Sequence, residues 1–292
     1  MKYRFMRFPE GKAKALTVSY DDGSRYDRTL VEILNRYGIK GTFNLNSGTF
    51  AKQPGEWHMT AGEAGELFLT AGHEIAVHGY KHVAPGQVSA IDGIREVLDG
   101  RLGLEQAYGR IIRGMAYPDS GIQSLNGGAT ANEIKAYLKS LGIVYARTAG
   151  GRTNRDDNPS FEMPLDWYEW VPTCHHENPK LMEYLKEFKE KDIDKVYCAR
   201  RFPHLFYLWG HSFEFDNKKN WNVMEEFCKA AADSEDIWFA TNIEIYDYTQ
   251  AYRSLQFSVD NTIAYNPSLY TIWFDIDGTR FSIKPGETKK LA

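Results

Sequence analysis

Apolar positions along this chain alternate between two spacings. Short β-prone runs with a period of two are followed by longer stretches with apolar residues three and four apart. The first clear run, Ala15-Leu16-Thr17-Val18-Ser19-Tyr20, ends abruptly in Asp21-Asp22-Gly23. Residues 28–37 then carry helical spacing and stop at Gly38. Thr42-Phe43-Asn44-Leu45 reads as a short strand. Thr60, with Glu63 as capping-box partner, opens a helix that ends near Gly72. Glu74-Ile75-Ala76-Val77 is a strand that delivers His78 at its tip.

The alternation continues. Residues 91–104 read as a helix, and Gly114-Met115-Ala116-Tyr117 as a strand broken by Pro118. A helix through Ile134 and Leu138 stops at Gly142, and Ile143-Val144-Tyr145-Ala146-Arg147 is the next strand. Residues 150–158 are polar and loop-like, and 163–170 read as an irregular strand. Leu181, Met182, Leu185 and Phe188 mark a helix with a charged outer face. Leu205-Phe206-Tyr207-Leu208-Trp209-Gly210 is the most apolar strand and runs into His211. A helix carrying Trp221, Met224, Phe227, Cys228 and Ala231 follows. Then come a strand over 237–240 and a helix over 243–252. Strand–helix alternation over about 250 residues predicts an α/β fold, either a (β/α) barrel or a doubly wound sheet.

The pattern changes near Leu255. Residues 257–263, 269–274 and 279–283 all read as strands, with Asp277-Gly278 as a hairpin turn between the last two. The expected division is therefore a barrel over 1–254 and a small antiparallel β module over 255–292, packed on it.

Bulk properties narrow the class of function. With 292 residues, 42% of them hydrophobic, the chain can bury one large core. A net charge of -4 gives no reason to expect nucleic acid or an anionic membrane as partner. No apolar run reaches the length of a bilayer span. The first eight residues lack the apolar core of a secretion signal, so a cytoplasmic location is expected. Cys174, Cys198 and Cys228 are scattered without metal-type spacing and read as reduced thiols. Oligomeric state is left open.

Chemistry concentrates at the strand ends. His78 and His82 are four apart and share one face of a helix or turn. Together with Asp22 they offer two imidazoles and a carboxylate, a common catalytic metal set. The plain alternative is an Asp-Asp-Gly turn and two surface histidines. If a metal is held, Asp21 is free to act as a general base. His211, at the C-terminal end of a buried strand, is placed for a general acid or for a hydrogen-bonded histidine at the core edge. His73 begins a strand at the opposite end and suits a structural role. His175 and His176 lie in a loop within reach of a substrate.

These residues carry a resemblance. Thr17-Val18-Ser19-Tyr20-Asp21-Asp22-Gly23 is similar to the T-F-D-D-G motif of the polysaccharide deacetylases, the NodB-homology group of carbohydrate esterase family four. Gly72-His73-Glu74-Ile75-Ala76-Val77-His78-Gly79-Tyr80-Lys81-His82 resembles their second motif, and Tyr117-Pro118-Asp119-Ser120-Gly121 the tail of the third. Asp166-Trp167 is similar to the end of the fourth, and Leu208-Trp209-Gly210-His211 to the fifth. The resemblance implies a distorted (β/α) barrel of the NodB type and one divalent metal, zinc first, with cobalt, nickel or manganese as alternatives. It implies Asp22, His78 and His82 as ligands, Asp21 as base and His211 as acid. Trp167 and Leu208 would wall the acyl pocket; Tyr117, Asp166, Arg147 and, from its loop position, His175 are read as substrate-side residues.

Three departures stand out. Gly79 replaces a Ser or Thr, Ala116 replaces the third-motif arginine, and Met163 replaces the first aspartate of the fourth motif. Arg147, at a strand end on the same face as Asp21, is the candidate to replace the arginine by contacting Asp21 or Asp166. Pairing with acids near Asp156 and Asp157 is the alternative. The function this implies is metal-dependent removal of N-acetyl or related acyl groups from a carbohydrate. The alternatives are a hydrolase of a non-peptide C–N bond in a small amide or ureide, or a non-catalytic sugar-binding relative.

Overall fold

The structure, a computed structural model, describes residues 3–119, 121–149 and 161–291. Strand β1 (Arg4–Arg7) precedes an eight-stranded parallel sheet made of β2 (Lys14–Asp21), β3 (Gly41–Leu45), β4 (Glu74–Val77), β5 (Gly114–Ala116), β6 (Tyr145–Arg147), β7 (Cys174–His175), β8 (His204–Gly210) and β9 (Ile237–Phe239). The order is β6-β5-β4-β3-β2-β8-β7, with β9 paired to the start of β2. The strands are crossed over by helices α1 (Asp27–Arg36), α2 (Ala61–Leu69), α3 (Ala90–Tyr108), α4 (Ala131–Ser140), α5 (Leu181–Glu190), α6 (Ser212–Lys218) and α7 (Asn222–Ala232). This is a curled (β/α) half-barrel, one of the two folds that the strand–helix alternation allows and the one that the resemblance implies. The capping box at Thr60 forms, and matching boxes start α4 at Thr130 and α8 (Asn242–Arg253) at Thr241.

Strand β2 shows how the sheet sorts its residues. Leu16, Val18 and Tyr20 pack with Leu30 and Leu34 of α1 and with Phe43, in the layer between sheet and helices. Burying each such side chain contributes about 1.5–3 kcal/mol. Ala15, Thr17, Ser19 and Asp21 turn the other way, into the barrel. Helix α8 plugs the N-terminal end of that interior. Asn242 there accepts from Thr17 Oγ1 (2.8 Å) and donates to the Tyr207 hydroxyl (2.6 Å). Polar residues also gather at the opposite end, at the C-terminal tips of the strands.

Beyond α8 lie β10 (Gln256–Phe257), β11 (Ile263–Tyr265), β12 (Ile272–Ile276), β13 (Thr279–Ile283) and β14 (Thr288–Lys290), in two three-stranded antiparallel sheets. The turn at Asp277-Gly278 joins β12 to β13, with both residues at positive φ (48° and 93°). The sequence-based strand over 257–263 is instead a hairpin. Ser258 and Asp260 accept bonds from the Thr262 amide and Asn261 takes φ 59°, which breaks the run. Strand β1, counted with the barrel in the sequence, pairs along β12 from Arg4–Ile276 to Arg7–Trp273. The irregular strand expected over 163–170 is a 3-10 turn, Trp167–Glu169, capped by Asp166 on the Tyr168 amide (2.8 Å). The loop expected over 150–158 lies outside the described residues. Among the described residues, no helix is long and apolar enough to cross a membrane.

Candidate active site

Asp22 leaves the tip of β2 with φ 75°, which turns its carboxylate away from the strand. Its Oδ1 lies 3.7 Å from His78 Nε2 and 3.6 Å from His82 Nε2. His82 also sits at positive φ (64°). Left-handed backbone at a non-glycine residue costs on the order of 1–3 kcal/mol and collects at functional sites. Two such residues in one three-residue cluster argue against a plain surface turn.

His78 is buried, and its Nδ1 faces the Ala116 carbonyl oxygen at 2.9 Å. A carbonyl only accepts, so Nδ1 carries the proton and Nε2 presents its lone pair toward Asp22. That second contact is the one a metal-binding imidazole needs. With ligand atoms all within 4.8 Å of one another, Asp22, His78 and His82 fit a divalent cation such as zinc.

The loop between the two histidines is braced by a residue that the sequence did not reveal. Glu96 of α3 accepts from the Tyr80 amide (3.0 Å) and the Lys81 amide (2.8 Å) with one oxygen, Oε2. Gly79 has φ 78°, and a Cβ there would meet that same oxygen at 3.2 Å. Glycine at the Ser/Thr position of the motif therefore accompanies a different brace.

Asp21 points into the barrel below this cluster. Its Oδ1 accepts from Asn44 Nδ2 (2.8 Å), and its Oδ2 is paired with Arg147 Nη2. Arg147 is itself buried, with its guanidinium 4.5 Å over the Trp209 ring. Burial alone would raise the Asp21 carboxyl. Arg147, His78, His211 and the Asn44 bond outweigh it and hold Asp21 below its ordinary value, so it is ionised at neutral pH. Among the described residues Arg147 meets Asp21 and not Asp166, which pairs with Lys135 at 2.8 Å. Asp156 and Asp157 lie outside the described residues.

His211 follows β8 and starts α6. Its Nε2 lies 3.9 Å from Asp21 Oδ2 and 4.0 Å from Asp22 Oδ2. Its Nδ1 lies 3.3 Å from Glu214 Oε2, an ion-pair contact. The same oxygen is 3.1 Å from His175 Nε2 and 3.4 Å from His176 Nε2. Burial pushes the His211 imidazole down, but Glu214, Asp21 and Asp22 carry it up to about 9. Burial would raise Glu214, yet His175 and His211 hold it well below the usual carboxylate range. His176 is buried, stacked on Phe215, and pressed against Gly210, where a Cβ would sit 1.9 Å from its Nδ1. Burial keeps it neutral.

The other predicted site residues have the following surroundings. Leu208 pairs in register with Val18, so it shares the helix-facing side and does not wall the cleft. Trp209, its inward neighbour, holds Arg147 instead. Trp167 is wedged between Trp170 and Tyr246 in the inner aromatic cluster. Tyr117 is buried and donates its hydroxyl proton to the Tyr168 carbonyl (2.9 Å). His175 is 5% exposed and faces Glu214 and not an open surface. His73 accepts the Gly41 amide with Nδ1 (2.9 Å), in the structural role its position suggests.

Comparison with known proteins follows the same outline. The profile of one family, described as polysaccharide deacetylase, matches residues 8–146. No curated protein matches the chain. Among solved structures, a candidate polysaccharide deacetylase from Mycobacterium smegmatis is similar at 17% identity and TM-score 0.53, over 84% of this chain and 93% of that one. The peptidoglycan deacetylase PdaC from Bacillus subtilis, a mutant form, is similar at 14% identity and TM-score 0.50, over 85% and 96%. The Streptococcus pyogenes deacetylase PplD, in complex with acetate, is similar at 19% identity and TM-score 0.39. That match spans 44% of this chain and 54% of PplD, about half the length of that protein.

Proposed function

We propose that the chain is a hydrolase of the polysaccharide deacetylase type, the family whose profile matches residues 8–146, and that it removes N-acetyl or related acyl groups from a carbohydrate with the help of one divalent metal. The observation that carries the reading is the side-by-side placement of Asp21 and Asp22. Asp22 lies within reach of both His78 and His82, while Asp21, 3.9 Å from His78 Nε2, is engaged on both oxygens by Arg147 and Asn44.

Asp22, His78 and His82 would hold the ion. A divalent cation bound there supplies a Lewis acid for the acyl oxygen and makes a neighbouring water more acidic. Asp21, ionised and fixed on both oxygens, accepts a proton from the attacking water. His211, carried toward its protonated form, gives its Nε2 proton to the departing amine nitrogen. Both groups face one space, since Asp21 Oδ2 and His211 Nε2 lie 3.9 Å apart. Arg147, buried and stacked on Trp209, steadies the Asp21 charge and orientation.

The test is acetate release from N-acetylated sugar oligomers by zinc-loaded protein, measured beside small amides and ureides. Release from the oligomers, abolished in Asp21→Asn with zinc content unchanged, is the expected result. Turnover confined to small amides would assign the chain to a different C–N hydrolase. An Asp21→Asn variant with full activity would remove Asp21 from the base role.

A further inference from the structure

His175, His176 and Glu214 form a second group with metal-type donors, all within 4.8 Å of one another. Its separations, 3.1 and 3.4 Å from Glu214 Oε2, are shorter than those around Asp22. Distance alone would favour it as a metal centre. The second nitrogen of His175 decides otherwise. His175 Nδ1 accepts the Glu177 amide at 3.2 Å. An N–H donor there requires a bare Nδ1, so the ring proton sits on Nε2 and points at Glu214. A ligating Nε2 would have to give up that proton and set Nδ1–H against the Glu177 N–H. His78 is arranged the opposite way, with Nδ1 on a carbonyl and Nε2 bare.

Glu214 is thus an acceptor held by its neighbours. It takes the Nε2–H of His175 (3.1 Å) and the backbone N–H of His211 (3.2 Å), and lies 3.3 Å from His211 Nδ1. His211 Nδ1 is buried and makes no hydrogen bond among the described residues, so the ion-pair contact with Glu214 is what faces it. We propose that Glu214, steadied by His175, is a positioning residue that fixes the ring orientation of His211 and keeps a proton on its Nδ1, so that Nε2 is the atom offered to the leaving group. This rests on the reading of His211 as general acid.

The proton balance is simple. As the C–N bond breaks, its electron pair goes to the amine nitrogen, which takes the proton from His211 Nε2. The Nδ1 proton stays between the ring and Glu214, and Glu214 remains ionised throughout. Without the carboxylate the ring can rotate, and the correctly placed Nε2–H is lost in part of the population. His175 sits one step further away and acts only through Glu214.

The experiment compares wild type, Glu214→Gln, Glu214→Asp and His211→Ala, all zinc-loaded, on an N-acetyl sugar oligomer and on an aryl acetate whose leaving group needs no proton. Gln keeps the oxygen that caps α6 and removes the charge. Expected for Glu214→Gln is a fall in kcat on the oligomer on the order of a hundred-fold, with KM and aryl acetate turnover within a few-fold of wild type and partial recovery in Glu214→Asp. Adding His211→Ala to Glu214→Gln should cost nothing more than His211→Ala alone. Nitrogen-15 histidine spectra supply a readout apart from activity. The His211 Nδ1–H signal, assigned by its loss in His211→Ala, should be present in wild type and weakened in Glu214→Gln. An equal loss on both substrates, unchanged kcat, or a second zinc equivalent that disappears with Glu214 would overturn the proposal. A wild type that turns over both substrates while Glu214→Gln matches it sinks the positioning role alone. A wild type inactive on both sinks the deacetylase reading and the positioning role with it.

Discussion

Arg147 and Asp21 stand 126 positions apart in the chain and meet as a buried ion pair beneath the metal-type cluster. The contact joins the tips of β6 and β2, which are four places apart in the sheet. Only a curled sheet can bring them together across its concave face. We propose that Arg147 stands in for the cation that the resemblance implies at the position of Ala116, one strand nearer.

Arg147→Met should keep zinc and lose most activity. Removing one partner of a buried pair leaves an uncompensated charge and costs about 3–5 kcal/mol. The melting temperature should therefore fall, and activity should be read well below it. Arg147→Lys restores the charge without the planar fork and should recover part of both losses. Full activity in Arg147→Met would show that the pair serves folding only.

His211→Ala should lose on the order of a hundred-fold or more on N-acetyl substrates. The loss should be smallest on aryl acetates. Rates on a leaving-group series measure this directly, and an equal loss across the series would mean that His211 only packs against Phe213 and Trp209.

A pH effect on stability is expected from the base of the barrel. Glu74 accepts from Tyr145 Oη (2.7 Å), Thr42 Oγ1 (2.9 Å) and the Ile243 amide (2.9 Å). Burial carries it from its ordinary 4.5 up to about 7. A carboxyl with a folded-state pKa above its unfolded one adds stability below the unfolded value. That contribution is lost as pH rises through the folded one. Wild type should therefore lose up to about 3 kcal/mol relative to Glu74→Gln between pH 4.5 and pH 7. Urea titrations across that window give the difference, and a flat difference would mean that Glu74 is ionised in the folded protein.

Much of the site was legible because parallel strands end where their apolar runs end. Asp21, Asp22, His78, Arg147 and His211 all follow such runs, and the structure gathers them at one face. Leu208 was misplaced because its motif position was followed and its parity was not. Its register with Val18, an outward residue, decides which face it takes. Glu214 was hidden by its second role, since three residues after His211 it reads as a helix-capping acid. Its contact with His175 depends on β7, two residues long and too short to show a period. Glu96 was hidden in the same way, as a charged residue on a helix face. The pairing of β1 with β12 joins the two ends of the chain and leaves no local signal.

The central claim is that Asp22, His78 and His82 hold the metal and that His175, His176 and Glu214 do not. Zinc titration of chelator-treated protein by calorimetry, with elemental analysis of the product, measures this most directly. The account predicts one equivalent for wild type and for Glu214→Gln, and strong loss of binding in His82→Ala. Undiminished zinc in His82→Ala, or loss of zinc in Glu214→Gln, would contradict it.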